Sequence, residues 1–290
     1  MKTYSAAVDN ARAVAVVGPT ASGKSELAVR IAETLGGEVV SADSRQVYCG
    51  MDIGSNKITQ GEMRGVPHHL LDVADPGEQF TVADYRLLAR QAFNDILSRG
   101  KFPIVCGGTG FYIDALLYDT TIPAVPPQAE FRAKLERKSA ETLYEQLKRL
   151  DPRRAATIEA KNKRRLIRAL EIIRATGKPV PLHSEDGPQY KVVFVAPYRT
   201  REELKERIAA RNTDMRLRNV IEETKKLHNE RGVSWERLDS FGLEYRYAAR
   251  FLQEKLTREE MRDRLIAATW RYAKRQLAWC GRHPIHYVSY

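Results

Sequence analysis

The sequence predicts an α/β fold, a parallel sheet flanked by helices, with an all-helical insertion. Three observations predict it. An apolar run, AVAVV, leads into a glycine-bracketed loop and an amphipathic stretch; two more short apolar runs, EVVSADS and KFPIVC, end in small or polar residues ahead of helical patterns; and a basic helical tract interrupts this texture before the strand-like KVVFVAPYR resumes it. Short apolar runs alternating with helical patterns are the mark of βαβ units.

The elements follow in order. AVAVVGPTASGKSELAV, residues 13 to 29, opens with a strand and runs through a loop into a helix over about Glu26 to Leu35. Gly18, Gly23, Lys24 and Ser25 fit G-x-x-x-x-G-K-[ST] between that strand and helix, so the core is P-loop NTPase-like. Glycines let backbone N–H groups line an anion-sized nest, the helix start adds partial positive charge and Lys24 a full one. The nest comprises Gly18, Pro19, Thr20, Ala21, Ser22, Gly23, Lys24 and Ser25, with the Thr20 hydroxyl added to it and the Ser25 hydroxyl suited to Mg²⁺. The loop grips phosphate; whether that phosphate is transferred, hydrolysed or expelled it does not say. EVVSADS is a second strand whose carboxyl end delivers Asp43, on the side of the sheet where ligands sit. A loop and then a helix from about Thr81 lead to a third strand, Phe102 to Cys106, and the turn Gly107-Gly108-Thr109-Gly110 before FYIDALLYD. That turn is a second place where backbone can approach a ligand closely.

From Thr120 a proline-bearing linker, TTIPAVPPQ, opens a helical tract that GKPVPLHSEDGPQ closes, and KVVFVAPYR, Lys191 to Arg199, returns to the sheet. The expected domains are therefore a core of residues 1–118 and 191–290 and a helical insertion of 119–190, with the C-terminal third helical throughout. At 290 residues the chain is long enough for a proper core. It carries no stretch of signal-peptide form and no membrane-length apolar run, and Cys49, Cys106 and Cys280 lack C-x-x-C spacing. Reduced thiols in a cytoplasmic protein are expected. His68 and His69 lack metal-site spacing and read as loop packing, and Trp235, Trp270 and Trp279 as helix packing.

Net charge is +11, unevenly spread: residues 1 to 118 hold 11 Lys and Arg against 13 Asp and Glu, and the remainder 37 against 24. Residues 131 to 170 alone hold 13 positive and 5 negative charges, and residues 270 to 290 four positive and none negative. One such segment is ordinarily a solvated helix face. Two of them in a chain with a phosphate loop point to a polyanion, nucleic acid above all.

Read together, GPTASGKS, SADSRQVYCGMDIGSNK, GVPHHLLDVADPGEQFTVADYR and GGTGFYIDALL resemble the tRNA dimethylallyltransferase family, as do DPRRAATIEAKNKRRLIRALEIIRATGKP and RYAKRQLAW further on. The blocks span nearly the whole chain. DSRQVY followed by GMDIG and GVPHH is specific where the phosphate loop alone is shared with many families. The resemblance implies transfer of the dimethylallyl group of dimethylallyl diphosphate to the N6 amine of the adenine at tRNA position 37. Diphosphate leaves. The P-loop then acts as a leaving-group clamp, with Lys24, loop amides and Mg²⁺ stabilising charge as the carbon–oxygen bond breaks.

The adenine amine is a weak nucleophile, and a carboxylate accepting its proton is the remedy. The resemblance puts Asp43 in that role; a carboxylate that orders the neighbouring loop or stands behind Mg²⁺ is the plainer reading. Thr109 matches a position beside adenine and diphosphate, or is a helix N-cap. Arg211 matches a diphosphate-binding arginine, which the sequence alone reads as a helix-surface charge. The target base has to be flipped out, which makes Ser44, Arg45 and Gln46, with Asp43 and Thr109, candidates for reading it. Lys163, Arg164, Arg165 and Arg168 lie in the insertion's N-x-R-R-x-x-R block, where Arg164 and Arg168 share a helix face, and Lys274 and Arg275 are their C-terminal counterpart. The resemblance also suggests a monomer.

The chain departs from the family pattern at Trp270, at Leu243 to Tyr245 and at Asn219, all in the C-terminal helices and away from the phosphate nest. These bear on RNA affinity more than on chemistry. Two other readings are compatible with the motif: a small-molecule kinase, for which the basic insertion has no use, and a tRNA-binding paralogue with reduced catalysis.

Overall fold

The computed structural model describes residues 12–118, 122–123, 125–181 and 187–289, so parts of the proline-bearing linker and of GKPVPLHSEDGPQ lie outside the described residues. Six strands, β1 (Ala13–Val16), β2 (Gly37–Ser41), β3 (His68–His69), β4 (Phe102–Cys106), β5 (Val192–Pro197) and β6 (Ile285–Val288), form one sheet in the order β3-β2-β4-β1-β5-β6. Every pairing is parallel. β1 is buried along its whole length, as a central parallel strand covered on both faces must be.

Helix α1 (Lys24–Leu35) follows the phosphate loop and buries Leu27, Ala28, Val29, Ile31 and Ala32 against Val14, Val39 and Ile104 of the sheet. Gly36, at φ 60°, ends it. A short turn of helix, α2 (Gln60–Met63), precedes β3, and α3 (Val82–Ser98) starts where Thr81 accepts the Asp84 amide while Asp84 accepts the Thr81 amide. α4 (Gly110–Leu117) leaves the end of β4.

Two strands run against expectation. His68 and His69 are an edge strand, not a loop, and the C-terminal third is not helical throughout, since Ile285–Val288 pairs with Phe194–Pro197 of β5. Both are short edge strands whose hydrogen bonds come from distant chain, which no local pattern encodes. His69 Nε2 meets Glu38 at 2.8 Å, and Arg99 grips the same buried carboxylate with two guanidinium nitrogens. The Arg99 hydrogen bonds hold Glu38 down to about 2.

By its contacts the chain divides into two compact units, Met1–Leu117 with Pro188–Tyr290, and Tyr118–Gly187. The second contains α5 (Ala129–Glu136), α6 (Ala140–Leu150), α7 (Pro152–Thr157) and α8 (Lys163–Thr176), packed around Leu143, Leu147, Leu166 and Leu170. Glu171 is wholly buried in it, accepting from Arg132 Nε and Nη2 at 2.7 Å each, from the Gln128 amide at 2.7 Å and from Arg168 at 2.5 Å. Burial pushes its carboxyl up, but the Arg132, Gln128 and Arg168 hydrogen bonds outweigh it and hold the group at about 2. Its folded pKa lies below its unfolded one, so this stabilisation is present above about pH 4.5 and is lost as pH falls towards 2. Replacing Glu171 with Gln strands two half-exposed arginines and costs about 3 kcal/mol. Hydrogen exchange of residues 129–176 in the full chain at neutral pH should rise accordingly; unchanged protection would refute it.

The first unit continues with α9 (Arg201–Arg211), α10 (Asp214–Asn229), α11 (Trp235–Phe241), α12 (Leu243–Leu252) and α13 (Arg258–Cys280). α10, α12 and α13 share a core of Leu217, Val220, Tyr247, Ala248, Met261 and Leu265. Among the described residues no helix is long and apolar enough to cross a membrane.

Candidate active site

The carboxyl ends of β1, β2 and β4 lie side by side, so parallel pairing alone brings the phosphate loop, Ala42-Asp43 and the Gly107–Gly110 turn to one edge of the sheet. The loop uses left-handed backbone at Gly18 (φ 138°), Ala21 (φ 66°) and Gly23 (φ 99°). Positive φ at both glycines is what the motif's spacing supplies. Lys24 starts α1, and among the described residues its ammonium makes one long hydrogen bond, 3.5 Å, to the Pro19 carbonyl. Its charge is left almost entirely for a ligand. Ser25 follows it in the first turn.

α9 reaches the loop with two arginines. Arg207 donates to the Ala21 carbonyl at 2.7 Å, and Arg211 donates from Nη1 to the Thr20 hydroxyl at 3.0 Å and from Nη2 to Glu244 at 3.4 Å. Arg216 meets the same Glu244 oxygen at 3.3 Å. One buried carboxylate thus faces two guanidinium groups, leaving a net positive charge beside the loop. Burial pulls the Arg211 pKa down; Glu244 opposes this and Arg216 adds to it. Arg211 Nε and the Ser22 hydroxyl are buried and have no hydrogen-bond partner among the described residues. Buried donors are rarely left unmade in a folded protein. Here they border a loop built for anions.

Asp43 stands just past the end of β2, two strands away from β1 in the sheet. Its Oδ1 accepts the Arg45 amide at 2.8 Å, a turn that fixes the carboxylate's direction. The Ser44 amide donates to the Thr109 hydroxyl at 3.1 Å, and that hydroxyl donates to Ser44 Oγ at 3.4 Å. Thr109 therefore joins the two strand ends. Asp43 and Lys24 both act on the buried Cys106 thiol: burial pushes it up to about 11, Lys24 pulling it down and Asp43 pushing it further up. Tyr272 also borders this point. Burial drives its phenol to about 12, Asp43 raising it and its hydrogen bond with Thr109 lowering it.

The remaining site candidates divide. Arg45 is committed to protein, donating to the Phe241 carbonyl at 2.9 Å and the Ser44 carbonyl at 3.0 Å and lying over the Phe241 ring. Gln46 Nε2 donates to the Asn56 carbonyl at 3.1 Å, tying down the loop after β2. In the helical unit, Lys163 bonds the Glu136 carbonyl, Arg165 lies 3.9 Å from Glu159 and Arg168 is held by Glu171. The shared face of Arg164 and Arg168 thus offers one occupied guanidinium and one exposed one, Arg164 having no side-chain partner among the described residues. Lys274 and Arg275 are exposed on α13, Arg275 over the Tyr272 ring. The tryptophans pack against neighbours: Trp235 stacks on His228, Trp270 lies under Lys205, and Trp279 donates to Asp114 at 3.0 Å.

Sequence reasoning missed Arg207, Arg216, Glu244, Glu223, Tyr272 and Gln276. Glu223 accepts the amides of Asp52, Ile53 and Gly54 and the Tyr245 hydroxyl, holding the GMDIG segment. All six sit on helices among many other polar residues, and no local spacing sets them apart.

Fold and site together define a P-loop-like α/β protein with Lys24 and Arg211 at the loop and Asp43 past the end of a strand in the same sheet. Its sequence matches the family model described as IPP transferase over residues 46–283, and that described as isopentenyl transferase over 11–77. The chain belongs to the IPP transferase family. It is 43% identical over 276 residues to the tRNA dimethylallyltransferase of Roseiflexus sp. (strain RS-1), covering 93% of this chain and 90% of that one. Its structure is similar to that of the tRNA isopentenylpyrophosphate transferase from Bacillus halodurans, with a TM-score of 0.71 and 38% identity over 96% of this chain and 89% of the other. It is also similar to a eukaryotic dimethylallyltransferase captured acting on tRNA, with a TM-score of 0.79, 27% identity and coverage of 96% and 73%.

Proposed function

We propose that this chain is a tRNA dimethylallyltransferase that moves the dimethylallyl group from dimethylallyl diphosphate to N6 of the adenine at tRNA position 37. One observation carries the reading: an anion cradle formed by the loop, Lys24 and Arg211 shares a sheet edge with the Asp43–Thr109 corner, in a chain 43% identical to a protein of that name.

The donor's carbon–oxygen bond breaks as the adenine nitrogen bonds to the allylic carbon, and diphosphate departs. Lys24, Arg211 and backbone amides of the phosphate loop take up the growing negative charge, with Arg211 Nε and Ser22 Oγ as further donors. Asp43 accepts the proton the amine loses, and Thr109 fixes the base edge beside it.

Mg²⁺ fits this chemistry in a limited way. The Ser25 hydroxyl, in the first turn of α1, is the group that would hold Mg²⁺, with the diphosphate it accompanies supplying further oxygens. Mg²⁺ is commonly bound in this manner. When bound it neutralises diphosphate charge.

Within the helical unit Lys163, Arg164, Arg165 and Arg168 hold RNA phosphates, as do Lys274 and Arg275 on α13 of the other unit, while Ser44, Arg45 and Gln46 order the turn that meets the flipped base. Arg168 then acts with Arg132 as a pair fixed by Glu171 rather than as a swinging cation. We place the protein in the cytoplasm as a monomer.

Incubation with radiolabelled dimethylallyl diphosphate and a tRNA transcript bearing adenine 37 should label that transcript, and a guanine-37 transcript should stay unlabelled. Equal labelling of both, or of neither, refutes the assignment. Binding of tRNA should weaken by at least tenfold between 50 and 200 mM salt if several phosphates are contacted. A flat salt response removes the role given to the basic residues.

A further inference from the structure

The phosphate loop and the Gly107–Gly110 turn come from different strands, and one side chain joins them. Gln276, buried on α13, accepts the Thr20 amide on Oε1 at 2.7 Å and donates from Nε2 to the Gly108 carbonyl at 2.9 Å. A backbone amide can only donate and a carbonyl only accept, so the carboxamide's orientation is fixed by its partners. Gly108 leaves the room: a Cβ there would lie 2.1 Å from Nε2. The same helix face carries Tyr272 one turn earlier, beside Thr109, and Trp279 one turn later, against Gly110. α13 therefore touches both loops with one stripe of side chains.

We infer that Gln276 is a positioning residue that sets the spacing between the diphosphate cradle and the Asp43–Thr109 corner. The inference rests on the proposed prenyl transfer. Each loop has its own attachments besides Gln276. The phosphate loop is held by Arg207 at Ala21 and by Arg211 at Thr20; the turn is held by the Gly107 amide on Val16 and the Thr109 amide on Ala42, both at 3.2 Å. Removing the carboxamide therefore leaves both loops formed and releases only their mutual register. Donor binding uses one loop alone and should persist. In-line attack uses both, and a misplacement of about 1 Å costs about 100-fold in rate.

The test is steady-state kinetics of two full-length variants with labelled donor and tRNA, alongside thermal unfolding. Gln276→Met keeps the volume and removes both bonds. It should lower kcat about 100-fold with donor KM within threefold. Gln276→Glu keeps the acceptor for Thr20, sets a second acceptor against the Gly108 carbonyl and adds negative charge beside the diphosphate. It should lower kcat at least as far and raise donor KM about tenfold. Folded variants with kcat within threefold of wild type overturn the inference, as does a Met variant whose loss lies in donor KM alone. Insolubility of both variants overturns it too, since Gln276 would then serve folding. A wild-type protein that transfers no label fails the proposed function itself, whereas an active wild type with equally active variants fails only Gln276.

Discussion

Asp43→Asn should lower the rate of prenyl transfer about 1,000-fold while leaving donor affinity within threefold and unfolding temperature unchanged. The substitution is informative because the Asp43 turn depends on an oxygen that Asn also has. Oδ1 accepts the Arg45 amide at 2.8 Å, and an Asn carbonyl accepts it equally well. The Ser44–Thr109 link does not involve Asp43 at all. So the corner keeps its shape and loses only a basic oxygen. General-base removal is worth about 10² to 10⁴. If Asp43 merely orders the loop, the Asn variant should be nearly as active as wild type. Single-turnover rates with saturating tRNA decide between the two; an Asn variant within tenfold of wild type retires Asp43 as the base.

Much of this site was legible because its parts are backbone motifs with side chains at fixed spacing. Gly18, Gly23 and Lys24 declare the loop, and the strand before them puts it at the sheet's carboxyl edge without further information. Asp43 and Thr109 could be placed the same way, two and three residues beyond a buried strand. What the sequence hid is the layer behind them. Glu244 lies 33 residues from Arg211 and Gln276 lies 256 from Thr20, and each side chain becomes specific only once helices of the C-terminal third pack over the sheet edge. Sequence alone read Arg211 as a surface charge; its side chain is only 18% exposed, and the carboxylate that makes this burial tolerable comes from the very segment, Leu243 to Tyr245, that departs from the family pattern. The two edge strands were hidden for the same reason. Arg168 marks the converse case: its helical spacing to Arg164 is real, but buried Glu171, one turn on, claims its guanidinium.

Lys24→Met should lower kcat/KM for the donor by about 10³ with little change in stability. Lys24 carries a full charge at the N-terminus of α1, where partial helix charge already favours anions, yet among the described residues its ammonium makes one hydrogen bond, at 3.5 Å. Removing it breaks no buried network, so unfolding should move by less than about 0.5 kcal/mol. Arg211 is a less clean subtraction, because its loss frees the Thr20 hydroxyl and leaves Glu244 with Arg216 alone. Removing a preorganised donor from a developing anion costs about 10² to 10³ in kcat, and ground-state diphosphate binding weakens besides. The partition is the test. If charge on the leaving group grows in the transition state, kcat must fall along with donor affinity; a Met variant that loses only affinity would make the loop a docking site, and bond breaking would then need another source of stabilisation.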